Sequence, residues 1–183
     1  MSENKPLPQS VLHLLENSNF LHLGTASKTL KPNVSLMNYT PIPSKSSTNP
    51  TILVATSKKS TKYSNLISNN QCSILVHDWI TSTKSIELAN GEGSSGNNSQ
   101  EDNLFRLLQS LNQNEISDLS CTLSGHVIKF VEPTESKEFQ ELKKLHLARN
   151  PKAGCFLGDD VVFLLIELND SKVVDSSNHV RTN

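Results

Sequence analysis

Hydroxyls and lysines are concentrated in one short stretch of the chain: Thr56, Ser57, Lys58, Lys59, Ser60, Thr61 and Lys62. The apolar run Ile52, Leu53, Val54, Ala55 precedes it, and Tyr63, Leu66 and Ile67 follow at helical spacing. The segment reads as a strand, a polar turn and the start of a helix. The first backbone N–H groups of a helix lack partners within it and carry partial positive charge. Hydroxyl donors and ammonium groups at the same point complete the chemistry of a phosphate cradle. On the cluster alone, Lys58 and Lys59 serve equally well as solvated loop residues.

The charge distribution favours the cradle. The formal net charge is −1 over 183 residues, so the chain as a whole has no bias toward anions. Between Glu16 and Asp78 there is no acidic residue, while Lys28, Lys31, Lys45, Lys58, Lys59 and Lys62 all fall there. The acids sit mostly in the second half.

The elements that must position this stretch follow from periodicity and punctuation. Residues 8–18 form an amphipathic helix opened by Pro8, with Val11, Leu12, Leu14 and Leu15 at helical spacing. Strands at 20–26 and 33–40 form a hairpin across a turn at 27–32. A β-branched, apolar third strand covers 51–56. Ser60 or Thr61 caps the next helix, which stops at Asn69 and Asn70. Strands follow at 72–77 and 121–131, and Gly125 in the latter marks a bulge or a close backbone approach. A helix at 134–149 carries Phe139, Leu142 and Leu145 on its core stripe. The last strand, 161–168, is almost continuously apolar, which predicts burial on both faces.

Residues 84–118 read as a low-complexity insertion, a Ser/Asn/Gly/Glu-rich loop feeding one short helix, and the chain from 169 as a polar tail. The sum is a single domain of mainly β class: six short antiparallel strands closed into a small barrel with peripheral helices. No run approaches the roughly 20 apolar residues of a membrane helix, and the polar N-terminus lacks an apolar signal core. Cys72, Cys121 and Cys155 form no CxxC pair and no metal spacing. Reduced thiols in an intracellular compartment are expected, with Cys72 and Cys121 as small core residues.

The order of these elements resembles the pyridoxamine 5′-phosphate oxidase-like family of FMN-binding split barrels, its small fungal members in particular. The resemblance rests on Leu23, Gly24, Thr25 and Ala26 with Pro32 opening the second strand. It also rests on Ala55, Thr56 and Ser57 followed by Ser60, Thr61, Lys62, Asn65, Leu66, Asn69 and Asn70, and on Leu123 to Val127 with the closing strand. It implies an FMN phosphate at Thr56, Ser57, Thr61 and Lys62. It implies a flavin ring edge against the backbone of Ser35, Leu36, Met37 and Asn38, and a polar contact from Ser120. A homodimer with FMN at the subunit interface, a cytoplasmic location with the nucleus as a second site, and flavin-dependent oxidoreductase activity on an unknown small molecule follow from it.

Two departures stand out. Ser35 occupies a position where many members carry an arginine for the phosphate. The C-terminal Phe-Trp-Gln-Gly-like motif and downstream Arg-x-His of true pyridoxamine phosphate oxidases are absent, which argues against that reaction. A non-catalytic flavin-binding or sensor protein is the alternative. A nucleic-acid-binding small barrel ranks lower, because only 5% of the chain is aromatic and such barrels stack bases on aromatics. No metal, nucleic-acid or membrane partner is expected. His22 and His126 are expected as hydrogen-bonded or surface histidines, and Trp79 as a packing aromatic.

Overall fold

The computed structural model describes residues 6–42, 49–77, 119–134, 136–158, 160–175 and 179–182. The expected insertion at 84–118 and Trp79 lie outside the described residues. Seven strands and three α-helices are described: α1 (Gln9–Asn17), β1 (Phe20–Ala26), β2 (Pro32–Ile42), β3 (Thr51–Ser57), α2 (Thr61–Ser68), β4 (Gln71–His77), β5 (Leu119–Val131), α3 (Ser136–Arg149), β6 (Val161–Asp175) and β7 (Val180–Thr182). A short 3-10 helix, Pro151–Phe156, joins α3 to β6.

The strands are ordered β3-β2-β1-β4-β5-β6-β7, and a β3–β6 pairing closes the first six into an antiparallel barrel. This is the six-stranded barrel expected from the sequence. The barrel interior is built by alternation: Leu21 and Leu23 of β1, Ile74 and Val76 of β4, and Cys121 and Leu123 of β5 are buried, while their sequence neighbours are not. β6 is different. Val162, Leu164 and Ile166 join the barrel core, whereas Phe163 packs outward with Leu53, Val131 and Phe139 of α3. Both faces are covered, which is why its sequence shows no alternation there.

β6 does not end at Leu168. It runs on to Asp175, and the chain returns as β7 with Val174 opposite Val180 and Lys172 opposite Thr182. Ser171 and Val173 are buried while Asp170 and Lys172 are exposed. That period of two marks a half-buried strand, and its polar members gave this stretch the look of a tail. Gly125 is both things expected of it. The β5–β6 register shifts between Leu123 and Gly125, and a Cβ on Gly125 would lie 2.9 Å from the Glu167 carbonyl oxygen.

The core stripe of α3 also differs. Phe139 is buried, Leu142 half-buried and Leu145 exposed, and the buried residue of the last turns is His146. Seven residues make almost two full turns, so His146 returns to the face of Phe139 while Leu145 rotates away. A polar cluster surrounds it. His146 Nδ1 lies 3.0 Å from Thr40 Oγ1, and Asn150 Nδ2 donates to the Tyr39 carbonyl at 3.1 Å. Arg149 Nη2 donates to the carbonyls of Leu15, Glu16 and Ser18, satisfying acceptors at the end of α1. Its guanidinium sits 5.6 Å from the centre of the Tyr39 ring. The buried Tyr39 hydroxyl donates to the Leu15 carbonyl at 2.7 Å, and burial pushes its pKa up to about 12.

Burial also lowers the His146 pKa below the usual histidine value. The unfolded chain then binds a proton that the folded chain resists, so stability rises with pH across this window. His146 contributes fully above about pH 6.5, and its contribution is lost as pH falls through the lowered folded value. Denaturant titrations at pH 7.5 and pH 5 should therefore show an acid loss of stability. His146→Gln should flatten that loss, while itself costing about 1 kcal/mol at pH 7.5 through the weakened Thr40 contact.

Candidate functional site

β2 and β3 part company halfway along. β2 pairs with β1 from Pro32 to Asn38, but with β3 only from Tyr39 to Ile42. Tyr39 opposite Val54 is the last β2–β3 pair, whereas β3 keeps β6 on its other edge as far as Ser57. Among the described residues, no strand pairs with the β3-facing edge of β2 over residues 33–38, nor with the β2-facing edge of β3 over 55–57. The result is a slot lined on one side by a bare strand edge. Such an edge presents backbone N–H and C=O groups that need partners.

α2 carries the chain from β3 past β2 and β1 to β4. Leu66 is buried in the barrel core, and the buried Asn65 Nδ2 donates to Thr25 Oγ1 at 3.1 Å. Ser60 is the N-cap residue, its hydroxyl accepting the Tyr63 N–H at 3.2 Å. Thr56 Oγ1, buried, lies 2.9 Å from Ser60 Oγ. Thr61 occupies the first helical position and is exposed. The helix start thus stands at the β3 side of the slot, with no acidic residue in its first turn.

The lysines of the turn are not equivalent. Lys58 Nζ pairs with Glu132 at 2.6 Å, both side chains part-exposed, and this hydrogen bond holds the ammonium above its ordinary pKa. Lys59 is exposed. Lys62 is half-buried, and partial burial lowers its pKa. Among the described residues Lys62 has no carboxylate within ion-pair distance. A half-desolvated cation without a counter-ion stands to gain most from a bound anion.

Ser57 is committed elsewhere. Its hydroxyl donates to Asp160 Oδ2 at 2.6 Å and accepts the Lys59 N–H at 3.0 Å. Asp160 and Glu132 are absent from the sequence-derived set. Nothing local marks them, since they lie 103 and 74 residues from their partners Ser57 and Lys58. The β3–β6 register that sets Ser57 opposite Val161 is what carries Asp160 to this turn.

On β2 the candidate residues alternate. Ser35 and Met37 lie opposite the buried Leu23 and Leu21, and Met37 packs on the core. Leu36 and Asn38 lie opposite His22 and Phe20 on the outer face, where Leu36 is 61% exposed. Ser35 Oγ donates to Asn33 Oδ1 at 3.4 Å. Ser120 is not brought to the slot. It sits on β5 opposite His77, with β1 and β4 between β5 and β2, roughly 14 Å away at ordinary strand spacing. His22, half-buried, stacks on His77 with ring centres 5.5 Å apart, and His126 hydrogen-bonds with Asn169 as expected. Burial pushes the Cys72 and Cys121 thiols up to about 12 and about 11, which makes them packing residues and poor nucleophiles. Among the described residues no group of three or more metal-binding side chains converges, and no helix is long and apolar enough to cross a membrane.

A family model described as pyridoxamine 5′-phosphate oxidase matches residues 7–115, which include the slot, the turn and α2. A Saccharomyces cerevisiae protein named as a pyridoxamine 5′-phosphate oxidase homolog is 30% identical over the whole of this chain and 96% of its own. The fold is similar to that of an F420 reductase, with a TM-score of 0.53 at 15% identity over 90% of this chain and 98% of that one. It is likewise similar to a heme binding protein from Mycobacterium smegmatis, with a TM-score of 0.58 at 14% identity over 98% of this chain and 59% of that one.

Lys62 is the sharpest handle on the turn. On the expectation of an FMN phosphate at this turn, Lys62→Ala should weaken FMN binding, read as quenching of flavin fluorescence, by about 1.5–3 kcal/mol, roughly 10- to 150-fold. Riboflavin, which lacks the phosphate, should lose far less.

Proposed function

The chain belongs to the pyridoxamine 5′-phosphate oxidase family, and from that footing we propose that it binds FMN and serves as a flavin-dependent oxidoreductase. The observation that carries this reading is the parting of β2 and β3, with a capped helix start beside it and a lysine that has no carboxylate partner among the described residues. A terminal phosphate suits the N–H groups at the start of α2, Thr61 and Lys62, with Thr56 behind them. The pyrimidine edge of a flavin alternates donors and acceptors, as the bare edge of β2 does, and Leu36 and Met37 add apolar contact. The flavin, once bound, supplies hydride or electron transfer to a small acceptor, while the chain binds, orients and shields it. Ser35 brings no charge, which leaves Lys62 as the principal cation. Oxidation of pyridoxamine phosphate is not proposed.

A homodimer completes the proposal. The outer face of β1 and β2 exposes Val34 at 66%, Leu36 at 61% and Phe20 at 47%. An apolar face of this kind on a sheet is the mark of an interface. The three free thiols support a reducing compartment, here the cytoplasm.

A flavin-binding protein without turnover is the competing reading, favoured by the lack of any titratable side chain on residues 33–38. Two measurements decide. Purified protein should be yellow or should take up added FMN; a colourless protein that fails to bind FMN sinks the flavin reading. Reduced holoprotein should pass electrons to at least one of a panel of small acceptors faster than free reduced FMN does, and rates no faster than free flavin would assign the non-catalytic role. For the assembly, light scattering should give a dimer mass for the wild type and a monomer mass for Val34→Asp.

A further inference from the structure

The turn that faces the slot is held by two carboxylates supplied from distant parts of the chain. Glu132 follows β5 directly and pairs with Lys58. Asp160 precedes β6 directly, and its carbonyl accepts the Lys58 N–H at 2.9 Å while its carboxylate takes the Ser57 hydroxyl. A serine hydroxyl has one hydrogen. With that hydrogen on Asp160, Ser57 has none to offer a phosphate oxygen. The hydrogen bond from Ser57 holds the Asp160 carboxyl below its ordinary pKa, so the group is ionised at neutral pH. Counted together, Lys58, Lys59 and Lys62 against Asp160 and Glu132 leave the turn with one net positive charge. The run 17–77, read alone, contains only cations among its Asp, Glu, Lys and Arg residues.

Resting on the flavin reading above, we propose that Asp160 is a specificity-determining residue of the phosphate turn: it removes Ser57 from the donor set and subtracts charge, so that the turn discriminates less sharply between phosphorylated and unphosphorylated flavin than its lysines and hydroxyls alone would. A carboxylate beside a phosphomonoester dianion opposes it, and the part-exposed setting makes that opposition sensitive to salt. Lys62, Thr61 and the helix-start N–H groups then carry the phosphate contact without Ser57. Ser57, a phosphate ligand on the sequence reading, becomes a strut that fixes the turn between β3 and β6.

The ratio of FMN affinity to riboflavin affinity isolates the phosphate contribution and needs no turnover. Asp160→Asn keeps an oxygen acceptor for Ser57 and removes the charge. It should raise the ratio about two- to fivefold at low salt, with the gain shrinking above 0.5 M salt. Glu132→Gln, on a separate element, frees the Lys58 charge and should move the ratio in the same direction, so it serves as the test if Asp160→Asn does not fold. Circular dichroism of each variant guards against misfolding. A ratio that is unchanged or lowered in folded variants, while the wild type binds FMN, overturns the role of Asp160 and leaves the flavin reading intact. A wild type that binds neither flavin overturns both.

Discussion

Seven backbone pairs between Thr51–Ser57 and residues 161–167 join β3 to β6 and close the barrel, and most of the molecule follows from that ladder. Without it β3 and the first half of β6 would each present a bare edge. The apolar content of β6 makes closure favourable. Val162, Phe163, Leu164 and Ile166 are all fully buried, each worth about 1.5–3 kcal/mol relative to exposure. Closure also has a geometric consequence. β3 follows β6 to Ser57 but leaves β2 after Val54, so the same strand that seals one side of the barrel opens the other. The slot is the counterpart of the seam.

The end of the slot is pinned from outside the barrel. Tyr39 is the last residue of β2 before the strands part, and Thr40 follows it within the ladder. Both are buried, and both are gripped from the C-terminal end of α3, by His146 within it and Asn150 just past it. Arg149, on the same helix, holds the end of α1 and lies over the Tyr39 ring. A buried polar network of this kind stabilises only as far as its members are satisfied, and of the Arg149 donors the buried Nε has no hydrogen-bond partner among the described residues. Here it ties three separate elements to the point where β2 changes from paired to unpaired. The bare edge of β2 is therefore anchored at one end by a well-determined cluster and at the other by the β1 hairpin.

Much of this was legible in the sequence. Local elements announce themselves through short-range patterns, and α1, β1, β3, α2 and β4 fall within a residue or two of where those patterns put them. The cap at Ser60 or Thr61 announces itself because capping is a contact over three residues, and the structure gives it to Ser60. The failures share one cause. His146 reads as a polar residue and Leu145 as an apolar one, yet helix phase against Phe139 and the hydroxyl of Thr40 decide which is buried. Residues 169–175 read as a tail because Asn169, Asp170, Ser171 and Lys172 mask a strand whose inward members pack against a partner the local sequence does not reveal.

By itself the sequence determined the strand-turn-helix that concentrates hydroxyls and lysines at 56–62, and the apolar run that had to be buried on both faces. Each depends on residues close together in the chain, so composition and period suffice. Only the tertiary structure decided what those groups are free to do. It paired Lys58 with Glu132, gave the Ser57 proton to Asp160, left Lys62 without a carboxylate partner among the described residues and set Ser120 strands away from β2. The physical reason is that charge and hydrogen-bond capacity act through space. The register of β3 on β6 brings residues 103 apart in the chain within 2.6 Å, and that distance changes a run of cations into a turn of nearly balanced charge.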